Sequence, residues 1–509
     1  MGRGNPVLRA GAALFVALAA PSAAKAAEFG LHKFDTGGKV LSARAIDVNA
    51  DGRLDLVLIV ERRPDGGGAQ HDLLVLKTPK AANGLAYYAK EDVVRLPCDG
   101  EEAGYRAWAG AVAIGRFGHK GEVRLRFLGP QGDVDETPEG VVVPQDDDTG
   151  TPKGKREDVR TILSRSPGTP LVFWDAVADF GDGFGDRCWF PLDDGRVFDG
   201  PKVSVKDEAQ RTDASTFIRK STVPTLRAVD VDGDGKKELV GLEGADLVVW
   251  RNVRTEFQRD AKVPLPFLVP DPARPPEEIR TPRLSLADVD ADGKVDLLVT
   301  LVQGRADRPG GLRTSLYHYA GPYLDAKTGA LAEPRVRLDT ESVALHPRFV
   351  DLDGDGKLDY VCDSIRGTLL DIVPRALGIR EPDITYTAFR FSPAKGTFES
   401  EPYATVVRVY PGSEARGNTL GRTGFFEGDF DGDGVKDLLD LGTLKSIAIL
   451  AGTKGEGSFK APLLAPTAIS SGETLAADAL IADLDGDGRA DAATWTGTSL
   501  YLVVSKRAP

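Results

Sequence analysis

Six stretches of the chain set acidic residues at alternating positions around a glycine, a spacing suited to gripping a hard cation. The pattern is Asp, any residue, Asp or Asn, any residue, Asp, Gly, any two residues, Asp or Glu, followed at once by apolar residues. The copies run AIDVNADGRLDLVLI from Ala45, AVDVDGDGKKELVGL from Ala228, LADVDADGKVDLLVT from Leu286, FVDLDGDGKLDYVCD from Phe349, EGDFDGDGVKDLLDL from Glu427 and IADLDGDGRADAATW from Ile481. Six such copies do not arise by chance. In a tight loop, side chains 1, 3 and 5, counted from the first Asp, turn toward one centre. Glycine at position 6 permits the sharp backbone turn. The main-chain carbonyl at position 7 then points inward, and the acid at position 9 closes the shell.

The ligand sets follow directly. They are Asp47, Asn49, Asp51 and Asp55; Asp230, Asp232, Asp234 and Glu238; Asp288, Asp290, Asp292 and Asp296; Asp351, Asp353, Asp355 and Asp359; Asp429, Asp431, Asp433 and Asp437; and Asp483, Asp485, Asp487 and Asp491. The carbonyls at position 7 belong to Arg53, Lys236, Lys294, Lys357, Val435 and Arg489, where side-chain identity is free. All donors are hard oxygens, so the expected ion is Ca²⁺, at about six sites. Zinc and copper would want softer ligands. Mg²⁺ takes few protein ligands in strict octahedral geometry. An EF-hand needs an acid at position 12. That position holds Leu58, Gly241, Val299, Cys362, Asp440 and Thr494, so five copies fail and the closing acid stands at 9 instead.

The loops also account for the charge. The chain has 509 residues and a formal net charge of −13. Without Arg3, Arg9 and Lys25 of the first 26 residues the balance is −16. The loops hold 23 of the acids, three in the first copy and four in each other copy, and without them the remainder is +7. Six bound Ca²⁺ would bring −16 to −4. The acidity is therefore a ligand set, not a surface field, and a nucleic-acid backbone is not an expected partner.

Elements of a repeat must carry these loops. The first Asp residues are separated by 183, 58, 63, 78 and 54 residues. The long gap has room for two degenerate units, AIGRFGHKGEVRLRFL around Gly115 and ADFGDGFGDRCWFPL around Asp179, which makes a repeat of roughly 60 residues. Apolar runs flank the loops, including Leu54 to Val60 and Leu297 to Leu301. Others follow within the units, such as Leu247 to Trp250, Ser315 to Tyr319 and Ser499 to Val504. Such runs, bounded by Gly and Asp, read as strands. Three or four strands per unit in tandem predict an all-β chain, a β-propeller of eight blades, or seven if the Gly115 segment is an insertion. The last unit is one strand short, and Glu28 to Asp35 is placed to supply it and close the ring. Helical periodicity is confined to one short candidate, Thr368 to Leu377. Asp133 to Asp158 and Val269 to Arg283 are Pro- and charge-rich and read as long loops.

The six loops resemble the FG-GAP repeat, also called the VCBS repeat, found in the integrin alpha-subunit propeller and in many secreted bacterial proteins. The resemblance spans residues 28 to 509. It implies a β-propeller with calcium in the hairpin loop between the first two strands of a blade, held by the acids named above. The Phe-Gly signature of that family is reduced to Phe117-Gly118 and Phe184-Gly185, and the two degenerate units should bind no metal. Function does not follow from the fold.

Residues 1–26 have the form of a secretory signal: Arg3 and Arg9, an apolar run from Ala10 to Ala20, then Ala24-Lys25-Ala26. Residues 27–509 would be the propeller, exported to a periplasm, a cell surface or the medium, with no membrane span. Three cysteines exclude a disulfide scaffold. Cys98 and Cys188 are a candidate pair, and Cys362 sits in an apolar run. None of the five histidines has nucleophilic or acidic neighbours at a recognised catalytic spacing, and His318 reads as a packed strand residue. Trp108, Trp174, Trp189 and Trp250 read as core residues before sugar platforms. The expected function is a secreted calcium-binding propeller, a monomer, that binds a protein or carbohydrate ligand at one face or serves as a scaffold. The alternative is a carbohydrate-active enzyme, a lyase or glycosidase, on the same frame.

Overall fold

The computed structural model of the chain describes residues 28–48, 52–63, 70–78, 93–97, short segments between 111 and 198, and 226–506 apart from 232–233, 244–245, 254–255, 266–278, 306–310, 325–330, 341, 366–382, 410–421, 443 and 455–456. Residues 1–26, expected above to be an export signal, the helix candidate Thr368 to Leu377, Cys98, Trp108, Trp174 and Trp189 lie outside these residues, as does most of Asp133 to Asp158. All regular structure among the described residues is β.

Among the described residues the strands form seven antiparallel or mixed sheets of four to six strands, with two short hairpins beside them. The first sheet holds Lys39–Ile46, Asp55–Arg62, Gln70–Leu76 and Val93–Pro97 in chain order. The third runs from Arg227–Val229 to Glu256–Pro264, and the fourth from Ile279–Ala287 to Val336–Thr340. The fifth begins at Val343–Ala344 and Arg348–Val350 and ends at Ala404–Val409. The sixth runs from Gly424–Gly428 to Phe459–Ala468. The seventh has Ala479–Ala482, Asp491–Trp495 and Ser499–Lys506, with Glu28–Asp35 as its fourth strand.

The second sheet takes strands from both degenerate units. Ala111–Phe117 pairs with Glu122–Leu128, and Asp186 of the Asp186–Cys188 strand joins it in parallel at Phe117. The Gly115 and Asp179 units thus share a sheet, where the repeat spacing predicts one for each. Among the described residues the strands of the Asp179 unit have two or three residues, and Asp186–Cys188 adds to the edge of Ala111–Phe117. The expected loop Val269 to Arg283 also ends early, because Ile279–Ala287 is a strand paired along its whole length with Asp296–Gly304.

Burial explains the unbroken apolar runs. In Asp296–Gly304 the residues Leu297, Val299 and Leu301 pack toward the third sheet, while Leu298 packs toward the fifth. Side chains alternate across a strand, so a sheet covered on both faces must be apolar at every position. The same alternation sends Tyr360 and Cys362 to one side and Val361 to the other. Continuous clusters join the third sheet to the fourth, the fourth to the fifth, the fifth to the sixth, the sixth to the seventh and the seventh to the first. This is blade-on-blade packing, and the fold is an all-β propeller. Trp250 and His318 are core residues, 2% and 0% exposed. Cys362 is a buried free thiol, and burial pushes its pKa up to about 12.

Glu28–Asp35 pairs with Ser499–Lys506 over eight residues, from Glu28 opposite Lys506 to Asp35 opposite Ser499. Phe29 and Leu31 pack toward the sixth sheet and Phe34 toward the first. Outside, Lys33 reaches Glu473 at 2.9 Å, and Glu473 also accepts from Tyr501 and Ser499. The strand nearest the start of the chain therefore completes the sheet nearest its end.

Candidate metal centres

Every acidic loop joins the first strand of a sheet to the second. The Asp351 loop shows how it is built. Asp351 Oδ1 accepts amide hydrogens from Gly354 and Asp355 at 2.9 and 3.1 Å, and Oδ2 accepts from Gly356 at 3.0 Å. Asp355 also donates its amide to Asp353 Oδ1 at 3.3 Å, and Lys357 donates to Asp355 Oδ1 at 2.9 Å. Acids 1, 3 and 5 are thus held by the backbone they precede, the bonding that makes Asp a turn residue. The Asp429 and Asp483 loops repeat all five of these bonds and the Asp288 loop repeats four, at 2.7–3.3 Å. Glycine at position 6 has φ between 84° and 89° in all six loops, a left-handed conformation that other residues adopt only under strain.

The acid at position 9 works differently. None of the six is more than 1% exposed. In each loop one of its oxygens accepts the amide of residue 2, at 2.7–3.1 Å, in Val48, Val231, Val289, Leu352, Phe430 and Leu484. In five loops the other oxygen accepts an amide at the far end of the blade, from Thr78, Gly321, Phe391, Gly452 or Ser505, at 2.7–2.9 Å. This acid therefore ties the loop to the third strand's end of the same sheet. Residue 2 is Val, Leu or Phe because its side chain enters the core while its amide meets the acid; all six are buried.

Four loops bring three carboxylates together. Asp288, Asp290 and Asp296, then Asp351, Asp353 and Asp355, then Asp429, Asp431 and Asp433, then Asp483, Asp485 and Asp491 each offer oxygens within 4.8 Å of one another. Crowding shows in their acidity. Burial, then the negative charge of Asp487, pushes Asp485 up to about 6, and burial and Asp433 raise Asp431. Burial, opposed by amide hydrogen bonds, pushes Asp359, Asp437 and Asp491 up to about 7. Asp296 is the exception: burial raises it, but His318, with Nε2 3.5 Å away, and the amides of Gly321 and Val289 hold it below the usual carboxylate range. Carboxylates this close repel until a cation arrives, and an oxygen-only donor set suits a hard divalent ion.

Other expected ligands are placed less fully. Asp47 accepts from Gly52 at 2.8 Å, and Asp230 accepts from Asp234 and Gly235 at 3.2 and 2.8 Å. Asn49, Asp51 and Asp232 lie outside the described residues. Two cations on position-3 acids escape a reading of the motif alone. Arg390, at the end of a third strand, pairs with Asp353, and Arg335 lies 3.1 Å from Asp290. Both come from distant points in the repeat and show no fixed spacing to the loop.

A family model described as an FG-GAP-like repeat matches residues 288–362 and 429–494. These two segments are similar to FG-GAP-like repeats. The two matched FG-GAP-like segments contain the Asp288, Asp351, Asp429 and Asp483 loops, the same four in which carboxylates converge. No curated protein matches the chain. Among solved structures, the Dos1 propeller is 8% identical, with 93% of this chain and 94% of that one covered and a TM-score of 0.34. An Agrocybe aegerita lectin, described as recognising non-reducing terminal N-acetylglucosamine, is 16% identical over 53% of this chain and 74% of its own, with a TM-score of 0.24. BBS1N, in a complex with ARL6DN, is 10% identical over 66% and 93%, with a TM-score of 0.29. Among the described residues no helix is long and apolar enough to cross a membrane.

Proposed function

We propose that this chain is an exported, calcium-stabilised FG-GAP-repeat propeller that binds a protein or carbohydrate partner at one of its faces. The observation that carries the calcium reading is the convergence of three carboxylates within 4.8 Å in each of four loops. Position 1, 3, 5 and 9 acids and the carbonyl of position 7 would hold the ion, which neutralises the mutual repulsion of the acids. Extracellular calcium modules bind at about 10⁻⁴–10⁻³ M. At millimolar calcium each filled site would add about 0.4–1.4 kcal/mol, if only the folded chain binds. Six sites would add about 2–8 kcal/mol, a domain-sized stability.

Export is supported by the signal pattern of residues 1–26, and millimolar calcium is found where exported proteins work. Ligand binding at a propeller face follows from the division of labour in the fold. The acidic loops and the strand cores are committed to structure, so recognition falls to the loops between strands. A glycan array and a pull-down from envelope extracts, each run in calcium and in EGTA, test this. Calcium-dependent capture of a discrete glycan or protein is the expected result. No capture in either condition contradicts the binding role.

A further inference from the structure

The acidic loops touch one another. The amide of Leu358 donates to the carbonyl of Val289 at 2.9 Å, that of Lys436 to Leu352 at 3.1 Å, and that of Ala490 to Asp429 at 2.8 Å. Each donor is residue 8 of its loop, and each acceptor is residue 1 or 2 of the loop before. The link therefore recurs three times in nearly the same register, from the Asp288 loop through the Asp351 and Asp429 loops to the Asp483 loop.

Side chains follow the same path. Lys357, residue 7 of its loop, donates Nζ to the carbonyl of Asp290. Arg489, residue 7 of the last loop, lies against Gly432, where its Nε is 3.2 Å from the place of a Cβ. Gly354 and Gly434 are so close that a Cβ on Gly354 would stand 2.3 Å from the carbonyl oxygen of Gly434. Arg53 continues the contact to the Asp483 loop, with Cγ 3.8 Å from the place of a Cβ on Gly486.

The linked groups are those an ion would order. Residue 8 stands between the inward carbonyl of position 7 and the acid of position 9. Leu352 gives its amide to Asp359 and its carbonyl to Lys436, and Lys436 precedes Asp437. A change at the ninth acid of one loop is thus passed through one residue to the ligands of the next. Hydrogen bonds in such a chain polarise one another.

We propose that the four loops from Asp288 to Asp491 take up calcium as a coupled arc, the filling of one raising the affinity of its neighbours. This inference rests on the calcium reading above. Coupling between sites runs typically from about 5- to 150-fold. For contacts of one hydrogen bond and a few packed atoms, about fivefold per neighbour is expected.

The full chain, stripped of metal, is titrated with calcium by isothermal calorimetry beside Asp433→Ala. Asp433 is exposed and belongs to a loop with a neighbour on each side. Coupling predicts that this substitution removes one ion and weakens the remaining sites of the arc about fivefold. Loss of one ion with the other affinities unchanged overturns the coupling but leaves the calcium reading intact. No calcium uptake by the unaltered chain overturns the calcium reading itself. Should Asp433→Ala melt before it can be titrated, the unaltered chain decides: a Hill slope above one supports the arc, and a slope of one or less contradicts it. Lys436→Pro, which deletes one linking amide and no ligand, should lower the slope at an unchanged ion count, and an unchanged slope counts against the arc.

Discussion

Phe391 donates its amide hydrogen to Oδ1 of Asp359 across 2.8 Å, well inside the protein. The acid that closes a loop therefore also pins the end of the third strand of its blade. This separates two kinds of acid within one motif. Asp355 is exposed and would serve only a bound ion, whereas Asp359 serves the blade as well. Asp359→Ala should cost about 1–3 kcal/mol with or without calcium, because two buried amides, of Leu352 and Phe391, lose their acceptor. Asp355→Ala should lower the melting midpoint in calcium and leave it nearly unchanged in EGTA. Equal losses for the two variants in both conditions would contradict the division.

The raised pKa values of three ninth acids, and of Asp485 at position 3, set a pH dependence. Asp359, Asp437 and Asp491 stand at about 7 and Asp485 at about 6, all above the ordinary Asp value of about 3.8 expected on unfolding. Between these values the folded chain binds more protons than the unfolded one, so stability falls as pH rises. Metal-free protein should melt higher at about pH 5.5 than at about pH 8. Calcium competes with those protons, so the calcium-induced rise should be larger at the higher pH. Melting curves in EGTA whose midpoints climb over that pH range would refute this.

Close approach of two loops can be read apart from backbone strain. Gly354 and Gly488 both have positive φ, 71° and 88°, yet only Gly354 faces the carbonyl of Gly434; nothing lies within 4 Å of a Cβ on Gly488. Gly488→Ala should cost about 1–2 kcal/mol from the left-handed backbone alone. Gly354→Ala should cost more, since the Asp351 and Asp429 loops must also part. Denaturant titration of both variants compares the two costs, and equal costs would mean that the loops do not constrain each other.

Deleting residues 28–35 should leave Ser499–Lys506 as an open edge and uncover the apolar surface now met by Phe29, Leu31 and Phe34. An exposed edge invites association with other chains. The truncated chain should melt well below the full one and form oligomers on size exclusion; a monomer with an unchanged midpoint would show that this strand is dispensable.

Local features of the fold are legible in the amino-acid sequence. The spacing of Asp and Gly fixes a turn with little choice, and runs such as Leu297 to Leu301 can only be strands covered on both faces. Glu28 to Asp35 is readable as the missing strand because the last unit stops short. Longer-range features are not legible. Arg390 on Asp353, His318 beside Asp296 and the amide links between loops join residues without a fixed sequence interval. The repeat spacing suggests a blade of its own for the Asp179 unit, but Asp186 pairs with Phe117 in the sheet of the Gly115 unit, a contact with no local signal. The second role of the ninth acid is hidden too, since a ligand and a buried staple look the same as letters.

Calcium held in these loops should stabilise the propeller. The decisive measurement is thermal unfolding of residues 27–509 near neutral pH, in EGTA and in millimolar calcium. The midpoint should be several degrees higher in calcium, and chelator should reverse the rise. Coincident curves would contradict it.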